Sequence, residues 1–336
     1  MTLSGGRHNP ILSTRDFRLL RSVLLEYCGI EPPDSYRERM ARLLTPRLKA
    51  LGLEGFSAYY LYLRHAPQAE NERLAFAEAM VNHETYFFRE QYQLDALAQD
   101  VLPDLAKRNR RSRRLSVWSA GCSTGEEAYS LAVIIKESGL FDDWDLQILG
   151  TDISSKALAK ARRALYGSLS FRQAGPMPER VRRTYFKPVG GQLQVVDSIR
   201  TMVRFFRLNL LDRSAISVLP TMDVILCRNV LIYFPEETKK QVVQTFYEKL
   251  RPAGYLLLGH SENLLSTTSN FECVHVTGDL VYRRPDIHLQ PPVQASDQTR
   301  RNRNRKQSDA HRSSTNSDYS DAKRKPNQNE AGPRNH

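Results

Sequence analysis

The sequence predicts an α/β protein with a mainly parallel sheet, preceded by a segment that is helical throughout. Three observations carry this. Apolar residues recur at helical spacing over residues 11–81, as in Phe17, Leu20 and Leu24 and again in Leu74, Ala77 and Val81. From Leu115 onward short β-rich runs alternate with helical ones, the pattern of strand–helix–strand units in a parallel sheet. The first of those strands runs into a small-residue loop that opens a helix, which is where doubly wound folds bind their ligands.

Within the helical segment, Ser35–Leu51 sets Arg37, Arg39, Arg42, Arg47 and Lys49 beside Met40, Leu43, Leu44 and Leu48. That spacing predicts a basic amphipathic helix. Thr45-Pro46 interrupts it. Proline disfavours a helix interior and suits a first turn, with threonine as its cap, so a kink or two short helices are expected. Residues 82–114 read as a linker. Strands and helices then alternate: Leu115–Ser119 and Ala128–Glu137, Leu146–Thr151 and Lys156–Leu165, Met222–Cys227 and Glu236–Leu250, then Tyr255–Gly259. Between Gly190 and Asn209, GGQLQVV, a polar break and TMVRFFRLN read as antiparallel strands inserted in the α/β unit. Asn270–Arg284 adds two strand-like runs split by Thr277-Gly278-Asp279. The last segment, residues 286–336, is rich in Gln, Asn, Ser, Arg and Pro. It holds too few apolar residues to offset the entropy of ordering it, so a disordered basic tail is expected.

The 336 residues suggest one large or two modest domains, and 40% hydrophobic content is enough for a core. The formal net charge is +12. Part of it lies in the tail, with 10 Lys+Arg against 6 Asp+Glu. A basic surface suits nucleic acid, anionic lipid or an acidic protein face, or merely keeps the chain soluble. Cys28, Cys122, Cys227 and Cys273 form no CxxC pair and no Cys/His cluster with zinc spacing. No metal site is expected, and the pattern fits a reducing cytosol. The opening MTLSGGRHNP lacks the apolar stretch of a signal peptide. No window reaches the roughly 18 apolar residues of a membrane span. A cytoplasmic location is expected.

Four segments carry candidate chemistry. In Trp118–Glu127, a strand turns through Ser119-Ala120-Gly121-Cys122-Ser123-Thr124-Gly125 into a helix. It lacks the Gly-Lys-Ser/Thr of a P-loop and is no clean GxGxxG. Gly121 and Gly125 permit close backbone approach. Thr124-x-x-Glu127 also reads as a capping box. Asp152, just after the second strand, can accept from ribose hydroxyls or cap the next helix. In Asp223–Phe234, a buried strand runs into Arg228-Asn229 and Tyr233. These lie at a strand's carboxyl end, facing the ligand crevice, or else are a surface charge and a core aromatic. The last is Val81–Glu90, VNHETYFFRE, an aromatic patch followed by an arginine.

Taken together, these segments resemble the CheR family of chemotaxis receptor methyltransferases. Thr85-x-Phe87-Phe88-Arg89, Ser123–Glu127, Asp152, Asn209-Leu210, Cys227-Arg228-Asn229 with Ile232-Tyr233-Phe234, and Gly259-His260-Ser261-Glu262-Asn263 occur in family order. The likeness covers roughly residues 11–284. It implies a small all-α N-terminal domain over 11–81, then a Rossmann-like methyltransferase domain dependent on S-adenosylmethionine over 115–285. That domain would carry an antiparallel β-subdomain at about 168–207. It implies transfer of a methyl group to glutamate side chains of a chemoreceptor, or a similar methyl-accepting signalling protein, leaving S-adenosylhomocysteine.

Matched residue by residue, the cofactor-binding set is Thr85, Arg89, Glu127, Asp152, Asn209, Leu210, Arg228 and Asn229, and the catalytic pair is Arg89 and Tyr233. The family's asparagine two positions before the threonine is replaced by His83, with Asn82 beside it. Between Phe186 and Leu193 the loop is only KPVGGQ, about three residues shorter than in the enterobacterial type. The short form resembles enzymes that do not need a receptor pentapeptide of the NWETF kind. A monomer is expected. The main alternative is an adaptor that binds S-adenosylmethionine or its product without turnover; the intact Arg89 and Tyr233 argue against it. Lys107–Arg114 and Arg300–Lys306 are basic runs that could touch phosphates. No RNA-binding module accompanies them, so a nucleic-acid substrate is not expected.

Overall fold

The structure, a computed structural model, describes residues 11–172, 177–264 and 270–286. The tail expected to be disordered lies, from residue 287, outside the described residues. Four helices come first: α1 (Thr14–Cys28), α2 (Arg37–Leu51), α3 (Phe56–His65) and α4 (Ala69–Met80). Ser13 caps α1 by accepting from the Asp16 amide, and Gly29 ends it in a left-handed turn at φ 78°. Phe17, Leu20 and Leu24 of α1 pack with Met40, Leu44, Tyr59, Leu63 and Phe76 in one core.

Of the two expectations at Pro46, that of two short helices is corrected: α2 is a single helix with Pro46 inside it. An interior proline costs about 3 kcal/mol. Both halves of α2 are anchored, however, by burial of Met40, Leu44 and Leu48, at about 1.5–3 kcal/mol per side chain. Arg47, next to the proline, pairs with the buried carboxylate of Glu72 on α4, which also accepts from the Tyr59 hydroxyl at 2.7 Å. Packing on either side of Pro46 therefore outweighs its local preference.

The segment expected as a linker is largely helical: α5 (Gln91–Ala96), a π turn at Leu97–Val101 and α6 (Leu102–Arg108). Next come β1 (Arg114–Ala120), α7 (Glu126–Ser138), β2 (Asp145–Asp152), α8 (Ser155–Arg163), β3 (Leu165–Tyr166), α9 (Glu179–Tyr185), β4 (Phe186–Val189) and β5 (Gln192–Val195). The chain continues through α10 (Asp197–Arg200), β6 (Val203–Arg207), α11 (Arg213–Ser217), β7 (Met222–Cys227) and α12 (Glu236–Lys249). It closes with β8 (Leu250–Leu258), β9 (Glu272–Val276) and β10 (Asp279–Arg283).

Seven strands form the main sheet in the order β6-β2-β1-β7-β8-β10-β9. Pairing is parallel from β6 to β8 and antiparallel from β8 through β10 to β9. The central strands are buried along nearly their whole length, as expected when helices cover both faces. A second, antiparallel sheet has the order β3-β5-β4. Its hairpin turns on Gly190 and Gly191 at φ 54° and 78°, the backbone that a two-residue hairpin requires.

The reading of TMVRFFRLN as an inserted antiparallel strand is corrected. Val203–Arg207 is the edge strand of the main sheet, parallel to β2 from Ile148↔Val203 to Asp152↔Arg207. Phe205 fits against Gly150, where a Cβ would come within 2.6 Å of its ring. The small sheet therefore ends at Val195. No helix among the described residues is long and apolar enough to cross a membrane.

Candidate active site

Strand order reverses between β1, which passes to β2 on one side, and β7 on the other. A crevice forms at the carboxyl ends there. The cleft is walled by Gly121–Ser123 after β1, Asp152 at the end of β2 with Ile153 following, Leu208–Leu210 after β6, and Arg228–Val230 with Tyr233 after β7. Glu127 of α7 lines it too, and Asn82–Tyr86 with Arg89 close one side. The structure brings together all of Thr85, Arg89, Glu127, Asp152, Asn209, Leu210, Arg228, Asn229 and Tyr233.

The β1–α7 loop is tight. The amides of Gly121 and Cys122 both donate to the Thr151 carbonyl at 2.8 Å. Gly121 has φ 83°, and a Cβ there would meet Val230 Cγ2 at 2.5 Å. The capping box read at Thr124 does not form. The cap of α7 is Gly125, and Thr124 Oγ1 donates to Glu126 instead. Glu127 is thereby released to the cleft, where it accepts from Ser119 Oγ at 2.6 Å and Arg228 Nη1 at 3.3 Å. Asp152 does not cap α8 either; Ser154 does. The Asp152 oxygens accept from the Ser123 and Ser154 amides, each at 2.8 Å. Burial raises its pKa, and those amides with the nearby His83 pull the other way.

Arg228 is not a surface charge: its side chain is 2% exposed. It donates to Gln93 Oε1 at 2.8 Å, to Glu90 Oε2 at 3.1 Å, to Glu127 and to the Arg89 carbonyl at 2.5 Å. A buried guanidinium is tolerable only when satisfied in this way. Arg89 itself is half-exposed on the rim, with one donor to the Glu84 carbonyl at 2.9 Å and its guanidinium over the Tyr86 ring. Its neighbours Phe88 and Glu90 are both left-handed, as are Ser123 and Asn229 elsewhere in the cleft wall. Each costs of order 1–2 kcal/mol; strain of this kind gathers at functional sites. The Tyr233 hydroxyl has no hydrogen-bond partner among the described residues, and its ring lines the cleft.

The helical domain reaches this site. Cys28 and Ile30 line the cleft. Asn209 Nδ2 donates to the Tyr27 carbonyl at 2.6 Å, and the Glu31 amide to the Tyr233 carbonyl at 3.1 Å. Gly29 sits so closely that a Cβ would meet Thr238 Cγ2 at 2.6 Å.

Sequence reasoning missed several supporting groups. Glu262 binds four backbone amides, of Gly259, Asn229, Val230 and Ile232, at 2.8–3.2 Å. That bracket fixes the turn bearing Arg228 to Tyr233. Glu90, Gln93 and His260 also went unassigned. The Gly259–Asn263 motif pointed toward two of these groups without giving them a role.

Two family patterns match the chain: "CheR methyltransferase, all-alpha domain" over residues 15–81 and "CheR methyltransferase, SAM binding domain" over residues 83–279. Chemotaxis protein methyltransferase 2 of Vibrio cholerae is 34% identical over 82% of this chain and 94% of its own. Chemotaxis protein methyltransferase 1 of Pseudomonas aeruginosa is 36% identical over 80% and 97%. The chemotaxis protein methyltransferase of Salmonella typhimurium is 32% identical over 81% and 90%. With both family domains matched in order and the candidate site residues gathered on one cleft, this chain belongs to the CheR methyltransferase family and is a methyltransferase that uses S-adenosylmethionine.

Proposed function

We propose that this chain esterifies glutamate side chains of a chemoreceptor-like signalling protein, leaving glutamate methyl esters and S-adenosylhomocysteine. The observation that most supports this is a half-exposed guanidinium, Arg89, and an unengaged phenol, Tyr233, lining one cleft with an acidic cofactor wall. The relatives' names, chemotaxis protein methyltransferases, support a receptor of that kind as partner.

The cleft fits the cofactor. Its charged lining is Glu84, Glu127 and Asp152 against Arg89 and Arg228, a balance that favours a cation. A side chain at Gly121 would drive Val230 into the space. Asp152 retains lone pairs for ribose hydroxyls, Leu210 and Ile153 offer apolar walls, and Thr85, Asn209, Arg228 and Asn229 complete the holding set. When bound, the cofactor supplies a methyl group activated by a sulfonium.

The rest falls to the side chains. A glutamate is ionised at neutral pH, so no base is required. The Arg89 fork can hold that carboxylate, with most of its five donors free of partners among the described residues. The Tyr233 hydroxyl can fix one of its oxygens. Orientation of this kind lowers a barrier by several kcal/mol. The two-glycine turn between β4 and β5 leaves no long loop to grip a tethering peptide, which supports pentapeptide independence; tight binding of an NWETF-type peptide would refute that part. We place the reaction in the cytoplasm, carried out by a monomer.

Arg89→Ala and Tyr233→Phe should each cut radiolabelled methyl transfer to a receptor fragment by about a hundredfold or more while the fold persists. Wild-type rates in both would remove these roles. Calorimetric cofactor binding without any transfer would favour the non-catalytic adaptor.

A further inference from the structure

The half-exposed Arg89 is aimed by a turn that its own backbone does not favour, since Phe88 and Glu90 on either side are left-handed. Something must hold that turn. On the Phe88 side the hold is internal: the Phe88 amide donates to the buried Ser130 Oγ at 3.0 Å, and Phe87 is fully buried. On the Glu90 side Arg228 Nη2 donates to the Arg89 carbonyl at 2.5 Å, and the Glu90 carboxylate is pinned at both oxygens. Oε2 accepts from Arg228 Nη2 at 3.1 Å and from the His260 amide at 3.3 Å. Oε1 faces His260 Nδ1 at 2.8 Å and, at 3.4 Å, the Asn229 amide Nδ2.

The two partners differ in access. The Glu90 side chain is 10% exposed and the His260 side chain 60% exposed. A carboxylate can only accept, so Nδ1 of His260 carries the proton. In the neutral ring Nε2 is then the acceptor, and it meets the Ser261 hydroxyl at 2.9 Å. Glu90 thus fixes the tautomer, and the Ser261 hydroxyl, which can donate as well as accept, accommodates it. Histidine rings are set in this way by the hydrogen bond that one nitrogen makes. His260 is not among the residues lining the cleft, so affinity for the donor does not depend on it directly.

We propose that His260 is a positioning residue for methyl transfer: by donating from Nδ1 to Glu90 it holds the left-handed turn that presents Arg89 to the acceptor carboxylate. This rests on the reading of Arg89 given above. Loss of the imidazole acts on orientation, and so on kcat, rather than on donor binding. An asparagine amide can occupy the place of Nδ1 and restore the hydrogen bond.

The test uses the full chain, labelled S-adenosylmethionine and a soluble cytoplasmic fragment of a methyl-accepting receptor from the same genome. His260→Ala should lower kcat by about tenfold to a hundredfold. Its KM for the donor, and its calorimetric affinity for S-adenosylhomocysteine, should stay within about threefold of wild type. His260→Asn should recover most of the lost kcat. Wild-type kcat in the alanine variant, or an asparagine variant as impaired as alanine, would overturn the proposal. So would a His260→Ala chain that unfolds at the assay temperature, because the residue would then be structural. Arg89→Ala, run alongside, separates the two ideas. If it is inactive while His260→Ala is not, only the positioning role falls; if Arg89→Ala is itself fully active, the carboxylate-holding role falls.

Discussion

Replacing Arg228 with methionine tests whether this guanidinium is the electrostatic keystone of the cleft wall. Its side chain is 2% exposed, and it ion-pairs with Glu90 and Glu127, whose side chains are 10% and 14% exposed. Methionine keeps most of the aliphatic stem but leaves two nearly buried carboxylates without their cation. Removing one partner of a buried pair costs about 3–5 kcal/mol. Glu90 keeps His260 and Asn229 as donors. Glu127 keeps only the Ser119 hydroxyl among the described residues, so most of the loss should sit on Glu127. Urea unfolding followed by tryptophan fluorescence suits the measurement, since Trp118 is fully buried beside β2. The midpoint should fall with little change in slope, corresponding to about 3–5 kcal/mol. Arg228→Met combined with Glu127→Gln should recover about 2 kcal/mol of that, a coupling the double-variant cycle reads directly. A single variant costing under about 1 kcal/mol would refute the reasoning.

Three further outcomes are expected. Asp152→Asn keeps an acceptor at one position but places an amide among the Ser123 and Ser154 N–H donors, so calorimetric affinity for S-adenosylhomocysteine should drop about tenfold or more; unchanged affinity would remove Asp152 from the binding set. Burial works against the charge on Glu90, but Arg228, His260 and Asn229 outweigh it and hold its pKa below the usual glutamate value. Its stabilisation is therefore whole above that value and lost as pH falls through the folded one. The stability deficit of Glu90→Gln should be largest at neutral pH and shrink on acidification; a constant deficit would contradict this. Gly191→Ala, at φ 78° with open space around its Cβ, should cost only the backbone strain of about 1–2 kcal/mol and leave methyl transfer to the receptor fragment intact. Lost transfer would show that the hairpin does more than turn the chain.

Local pattern made much of this architecture legible. The alternation from Leu115 marks β1, α7, β2, α8, β7, α12 and β8 to within a few residues, except that β8 begins five residues earlier, at Leu250. Period and β-propensity act locally there, and tertiary contacts agree with them. Where distant partners decide, the sequence misled. Val203–Arg207 follows a glycine hairpin and looks like its continuation. Its actual partner, β2, lies some fifty residues earlier, and it is chosen by Phe205 against Gly150. Pro46 was judged by local preference, whereas the buried faces of α2 overrule it. At the site, the lining residues came from motif resemblance, but the groups that hold them did not. Glu90 meets His260 across 170 positions and Gln93 meets Arg228 across 135. No spacing rule joins such pairs.

The end of α1 has a consequence for engineering. Because Tyr27, Gly29 and Glu31 are keyed into the loops bearing Asn209 and Tyr233, the helical domain is part of the reaction vessel and not a detachable adaptor. A chimera that grafts a foreign helical domain should retain the native Tyr27–Glu31 corner and exchange only the outward faces of the helices. Swapped whole, it would leave the cleft with a breached wall.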